Sequence, residues 1–165
     1  IDKAKINSIP IIFDIDYRPY TWSSAKEASD VLMLASKNCD IVIGNDDEFG
    51  ILANNYEKGM HTAKELSKKI SIVIYKKGEK GSTTFYNDEQ IDNGIFFIKA
   101  LKPTGAGDAF LGSFVGGLIN DKSVYESIIY GTASAAIVVT KVGCAPAMPQ
   151  LNQIEKFIKL NKIKN

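Results

Sequence analysis

Three short runs rich in isoleucine and valine limit what this chain can fold into: residues 9–16 (IPIIFDID), 39–44 (CDIVIG) and 70–76 (ISIVIYK). Each has strand length and reads as a buried strand. Helix-patterned segments separate them. Ser23-Ser24 offers a cap for a helix over 25–37, with Ala28, Val31, Leu32, Leu34 and Ala35 as its apolar stripe. Shorter helices are expected over 46–53 and 61–69. Strands alternating with helices predict parallel βαβ units in an α/β sheet.

The pattern changes after the third run. Residues 81–86 and 95–100 are strand-like, and the polar stretch 87–94 joins them, which predicts an antiparallel edge. Beyond Pro103 three helices are expected, over 106–120, 123–142 and 151–161. No internal repeat or linker interrupts the chain, so residues 1–165 read as one domain, and 45% hydrophobic residues suffice for its core.

Composition removes several classes of function. Twenty basic and nineteen acidic residues leave a formal charge of +1, without the basic excess of a nucleic-acid binder. Cys39 and Cys144 lie far apart without metal-ligand spacing, which suggests a reducing, cytoplasmic setting. His61 has no second ligand at metal-binding spacing and reads as a surface residue. No segment reaches the roughly 18 apolar residues of a membrane helix. The chain starts at Ile1 and enters an apolar strand within a dozen residues, so it reads as the later part of a longer protein or a processed piece of one.

Chemistry concentrates at Thr104-Gly105-Ala106-Gly107-Asp108-Ala109-Phe110, where a loop enters a helix. Two glycines leave amides uncovered at a helix N-terminus, where the macrodipole favours an anion. A carboxylate follows at once, although a bound phosphate would repel it. Beside a phosphate cradle, such a group can take a proton from an attacking hydroxyl. Asp108 can equally be a first-turn carboxylate that complements the dipole.

The three buried runs also end alike, in Asp14-Ile15-Asp16-Tyr17-Arg18, Gly44-Asn45-Asp46-Asp47-Glu48 and Lys76-Lys77-Gly78-Glu79-Lys80-Gly81. Ligands of open α/β sheets bind beyond the carboxyl ends of the strands, so these exits would line one crevice. Asn45 and Glu48, three residues apart, could hold Mg²⁺ through waters, or Asn45 could simply cap the helix. Gly78 and Gly81 bracket a turn that a nucleotide could approach, or that merely starts a hairpin. Arg18 suits a carboxylate or a transferring phosphoryl group, or an exposed salt bridge.

Competing motifs are absent. No Gly-x-x-x-x-Gly-Lys-Ser/Thr occurs, and Phe110 stands where a dinucleotide fingerprint needs its third glycine. Gly112 and Gly116, one helical turn apart, are expected to let their helix pack closely on the sheet.

Taken together, Gly105-Ala106-Gly107-Asp108, Asn45-x-x-Glu48, Lys77-Gly78-x-x-Gly81 and Gly143-Cys144-Ala145-Pro146 resemble the ribokinase-like (PfkB) carbohydrate kinases in order and spacing. The resemblance implies a Rossmann-like, three-layer ribokinase-like fold and phosphoryl transfer from ATP, with Mg²⁺, to a sugar hydroxyl. It makes Asp108 the catalytic base and Gly105, Ala106 and Gly107 an anion hole. It implicates Lys77, Gly78, Gly81, Thr104 and Asn45 with the nucleotide, and Asn45 and Glu48 with magnesium. The stretch from Phe13 to Trp22 (FDIDYRPYTW) is similar to a sugar-acid kinase subgroup of myo-inositol breakdown, which implies substrate contacts for Asp16 and Arg18. Kinases of 2-keto-3-deoxygluconate or fructose are the alternatives within the family, and a non-catalytic nucleotide-binding module the alternative outside it.

Lys102-Pro103 replaces the Asp-Thr with which many relatives begin the glycine motif, which tells against their monovalent-cation site. Relatives are about twice as long. Their N-terminal half carries the lid and most sugar contacts, so this chain resembles the nucleotide-binding and catalytic half of an enzyme whose full-length form is expected to be a homodimer.

Overall fold

The computed structural model describes residues 1–164, which divide into two compact units. The first comprises residues 1–78 and 82–92, the second residues 79–81 and 93 onward.

In the first unit, a short helix α1 (Asp2–Ile6) precedes strand β1 (Ile12–Asp14). There follow α2 (Ala25–Ser36), β2 (Ile41–Asn45), α3 (Asp46–Leu52), α4 (Gly59–Ser67), β3 (Ile72–Lys76), β4 (Ser82–Tyr86) and β5 (Glu89–Asn93). The five strands form one sheet in the order β1-β2-β3-β4-β5. β1, β2 and β3 are parallel, with Ile12 beside Ile41 and Ile41 beside Ile72. β4 returns antiparallel to β3, Lys76 opposite Ser82. This is the α/β sheet with an antiparallel edge that the alternation predicts.

Strand parity divides the core. Val42, Val73, Tyr75 and Phe85 pack with Ala28 and Leu32 of α2, Phe49 and Leu52 of α3, and Ala63 and Leu66 of α4. Ile43 and Ile74, on the opposite face, are also fully buried. Burial on both faces explains why β2 and β3 read as unbroken apolar runs.

Several boundaries differ from expectation. β1 is three residues long because Pro10 has no N–H to give and Asp16, at φ +40°, turns the chain away. Ser24 does cap α2, its side chain accepting from the Glu27 amide. The buried face of that helix, however, is Ala28, Ser29, Leu32 and Ser36, while Val31 is 46% and Leu34 65% exposed. Two serines take those places by bonding backbone: Ser29 donates to the Leu52 carbonyl and Ser36 to that of Leu32.

The edge hairpin also departs from the reading. β4 pairs with β5, which lies inside the stretch taken as a polar connection. Asn87 and Asp88, both at positive φ, form the tight turn. Of residues 95–100, only β6 (Ile95–Phe96) is strand, and it pairs with β7 (Ile163–Lys164) in a separate ribbon.

The second unit is helical: α5 (Ala106–Ile119), α6 (Val124–Val139) and α7 (Leu151–Leu160). α5 and α6 pack closely at Gly117, whose absent Cβ would lie 3.0 Å from Ser127 Cα, and at Gly131, which faces the Phe110 ring and carbonyl. Gly112 and Gly116 do not pack tightly as expected, since nothing lies within 4 Å of where their Cβ atoms would stand. Ile154 and Phe157 of α7 join Phe96, Ala133 and Ile137 in a second core, with the Phe96 and Phe157 rings edge-on at 5.1 Å. Among the described residues, no helix is long and apolar enough to cross a membrane.

Candidate active site

In the first unit, the exits of β1, β2 and β3 lie side by side at the carboxyl end of the parallel strands. Asn45 closes β2 and caps α3. Its Oδ1 accepts from the Glu48 amide at 2.9 Å, while Glu48 Oε2 accepts from the Asn45 amide at 2.7 Å. This reciprocal box accounts for the three-residue spacing. It also holds an unusual carboxylate, because Glu48 is only 6% exposed. Burial pushes its acid above the ordinary carboxylate range, opposed by the Asn45 hydrogen bond and the Lys76 charge.

Lys76 and Asp14 form an ion pair at 3.7 Å, with side chains 19% and 21% exposed. Asp14 sits beside Ile43 and Lys76 beside Asn45, so the pair spans the end of β2 on the face that Ile43 and Ile74 share. Arg18 and Asp16 form a second pair, more exposed, and Arg18 Nη1 also donates to the Tyr17 carbonyl at 3.1 Å.

Lys77 points to the other face. Its ammonium donates to Thr83 Oγ1 at 2.8 Å and to Asp92 Oδ1 at 3.2 Å, while Gln90 holds the second Asp92 oxygen at 2.8 Å. Gly78 follows at φ +57°, with open space within 4 Å of its absent side chain. The structure thus gathers Asp16, Arg18, Asn45, Glu48, Lys77 and Gly78 on neighbouring strand exits, together with Lys76, which the sequence reading named in the third exit without giving it a role. Strand parity was the available signal: Lys76 continues the Ile72–Ile74 side, Lys77 the Val73–Tyr75 side.

In the second unit, Gly105 is the N-cap of α5 at φ +87° and brings no capping side chain. The Ala106 amide bonds the Pro103 carbonyl at 3.2 Å. The next first-turn amides, of Gly107 and Asp108, keep the donors that a helix start leaves unmatched within the helix. A Cβ on Gly105 would stand 3.3 Å from Val138 Cγ1 and 3.5 Å from Cys144 Cβ, so the glycine motif and the Gly143–Pro146 turn lie together. Lys102 Nζ is 3.8 Å from Cys144 Sγ. Asp108 is exposed in the first turn of α5, and Thr104 is exposed just before it. Gly81, at φ +80°, lies against the Asn93 carbonyl and is a structural turn residue in its own right.

Among the described residues, no three His, Cys, Asp or Glu side chains converge as metal ligands. The donors of Asn45 and Glu48 are oxygens, and with Glu48 Oε2 engaged by an amide, its second oxygen remains for an ion's water shell. That suits a hydrated Mg²⁺.

Known proteins resemble the chain along nearly its whole length. The profile of the pfkB family carbohydrate kinases matches residues 1–151. A 5-dehydro-2-deoxygluconokinase of Geobacillus kaustophilus is 34% identical over 168 aligned positions, covering 98% of this chain and 50% of that protein. Ribokinase from Thermotoga maritima superposes with a TM-score of 0.77 at 28% identity, over 96% of this chain and 52% of that one. A ribokinase II from E. coli, solved with ATP and Mg²⁺, gives 0.81 at 26% identity, over 94% and 50%. The chain spans about half the length of the curated relatives it matches.

Proposed function

The chain belongs to the pfkB family of carbohydrate kinases, and from that footing we propose that the complete protein transfers the terminal phosphoryl group of ATP to a sugar-acid hydroxyl, the acceptor being 5-dehydro-2-deoxygluconate. Residues 1–165 would form the C-terminal, nucleotide-binding and catalytic part of one kinase domain. The observation that carries the reading is the start of α5, where a left-handed Gly105 without a capping side chain sets an exposed Asp108 beside first-turn amides.

Each residue has a distinct task. Asp108 takes the proton of the acceptor hydroxyl as its oxygen attacks, and the amides of Gly105 and Gly107 stabilise charge that develops on the transferring group, the expected Ala106 amide being held instead by the Pro103 carbonyl. Gly78 lets backbone approach the nucleotide, with Lys77 and Gly81 shaping its turn, and Thr104 flanks the phosphates. Asn45 and Glu48 would hold magnesium through water, where the ion would offset phosphate charge. Arg18, oriented by Asp16, offers its planar fork to the acid's carboxylate. Positioning and charge compensation supply most of the acceleration, as is usual in phosphoryl transfer.

The test is an ATP-dependent assay on the complete protein with 5-dehydro-2-deoxygluconate, 2-keto-3-deoxygluconate and fructose in parallel. The highest kcat/KM is expected for the first. A preference for either of the others would move the assignment within the family, and nucleotide binding without any phosphorylated product would point to a non-catalytic module.

A further inference from the structure

We propose, on the kinase reading above, that the ammonium of Lys102 permanently takes the place of the monovalent cation that many pfkB kinases hold beside their glycine motif. The protein then works without potassium.

The residues of this chain do not fit a free alkali cation. In many relatives the Asp of Asp-Thr helps to build the cation site, whereas Lys102-Pro103 stands there in this chain. A lysine has three donors and no acceptor to offer an ion. Its neighbour is a thiol, with Lys102 Nζ 3.8 Å from Cys144 Sγ. Sulfur is a soft ligand, and hard cations take oxygen. An ammonium already in place also repels a second cation at contact distance.

What disfavours a free ion favours a tethered one. The Leu101 and Lys102 amides both donate to the Val139 carbonyl, at 2.7 and 3.2 Å, which anchors Lys102 at the C-terminal end of α6. That end of a helix carries negative partial charge, and the last turn of α6 brings no basic side chain of its own. Lys102 is partly buried, and among the described residues no carboxylate pairs with its ammonium. A partly buried charge without a counter-ion is costly unless something nearby needs it.

The thiol contact leads to what needs it. A Cβ on Gly105, the left-handed N-cap of α5, would stand 3.5 Å from Cys144 Cβ and 3.6 Å from Cys144 Sγ. Lys102, Cys144 and Gly105 are therefore successive neighbours, and the unneutralised charge backs the loop that presents the glycine motif. Its field adds to the positive end of the α5 dipole. Lys102 acts through that loop, as a positioning residue.

Turnover and melting of the complete protein test this, each in potassium chloride and in tetramethylammonium chloride of equal ionic strength. Tetramethylammonium is too bulky for an ion-sized site, so the two salts separate a bound ion from general screening. Wild type should turn over within about twofold in the two salts, which screen alike, and should melt alike in both. Lys102→Met should lose about tenfold or more in kcat in tetramethylammonium, on the Coulomb scale of a unit charge near the motif, and potassium should restore part of it. Lys102→Asp, which returns the carboxylate, should become potassium-activated, with a Tm that potassium raises by about 1–4 °C. Lys102→Arg, which keeps the charge, should stay indifferent to potassium.

Wild type that runs several-fold faster or melts higher in potassium would overturn the proposal, and that result needs no variant to fold. Lys102→Met with wild-type turnover in both salts would overturn it equally, because the charge would then do nothing. A loss shared by Lys102→Met and Lys102→Arg that potassium does not repair would make the residue structural, again against the proposal. If the complete protein phosphorylates no acceptor, the kinase reading fails, while melting of wild type and Lys102→Asp in the two salts still decides the cation question.

Discussion

Replacing Gly81 by alanine should destabilise the protein far more than the same change three residues earlier, at Gly78. Both glycines have positive φ, +80° and +57°, and alanine in the left-handed region costs about 1–2 kcal/mol at either. The surroundings differ. A Cβ on Gly78 meets nothing within 4 Å, whereas on Gly81 it would fall 1.9 Å from the Asn93 carbonyl oxygen and 2.9 Å from Gly94 Cα. Both obstacles are backbone, so no side chain can swing aside.

Asn93 is itself fixed, being 5% exposed, with its amide donating to Gly94 O at 2.9 Å and to Thr132 Oγ1 at 3.2 Å. Forced overpacking costs about 1–3 kcal/mol, which brings Gly81→Ala to about 2–5 kcal/mol. For a chain of this size each kcal/mol moves Tm by about 2–4 °C, giving a fall of about 4–20 °C, against about 2–8 °C for Gly78→Ala. Differential scanning calorimetry of the two variants beside wild type reads the difference directly. Equal shifts would refute the packing argument, because they would mean that only the backbone conformation matters.

Two further outcomes follow from the first unit. Asp92 is held below the ordinary carboxylate range by hydrogen bonds from Thr83 and Gln90 and then by Lys77. Its stabilising contribution is therefore complete above its ordinary value of 3.8 and is lost as pH falls through its lower folded value. Urea titrations should show Asp92→Asn less stable than wild type at neutral pH, with the gap closing in strong acid; a gap independent of pH would contradict this. Asn45→Ala removes the acceptor for the Glu48 amide and should cost about 1 kcal/mol, or roughly 2–4 °C in Tm. Asn45→Asp, which keeps a capping oxygen, should melt close to wild type, and an alanine variant that does the same would dismiss the cap.

The parts of the fold legible in the sequence were those with a local cause. Ser24 and Asn45 mark helix starts because each bonds an amide three residues on. β2 and β3 stand out because burial on both faces demands unbroken apolar runs. β5 was hidden because EQIDN is an exposed edge strand with little apolar signal. β6 was misread because its partner, β7, lies far along the chain, and no local pattern announces such a pairing. The stripe of α2 failed for a similar reason: whether Val31 or Ser29 turns inward depends on the Leu52 carbonyl waiting in another helix.

The site divides in the same way. The glycine motif before Asp108 and the spacing of Asn45 and Glu48 could be read residue by residue. The Lys76–Asp14 ion pair could not, since it joins strands far apart in sequence across the end of β2.

The central claim is that Asp108 removes the proton of an acceptor hydroxyl, and turnover of Asp108→Asn in the complete protein tests it most directly. Loss of a general base lowers kcat by at least about 10², and ATP should bind the variant nearly as tightly as wild type, because the first-turn amides of α5 are untouched. Turnover near the wild-type rate would contradict the assignment of residue 108 and, with it, the mechanism built around the start of that helix.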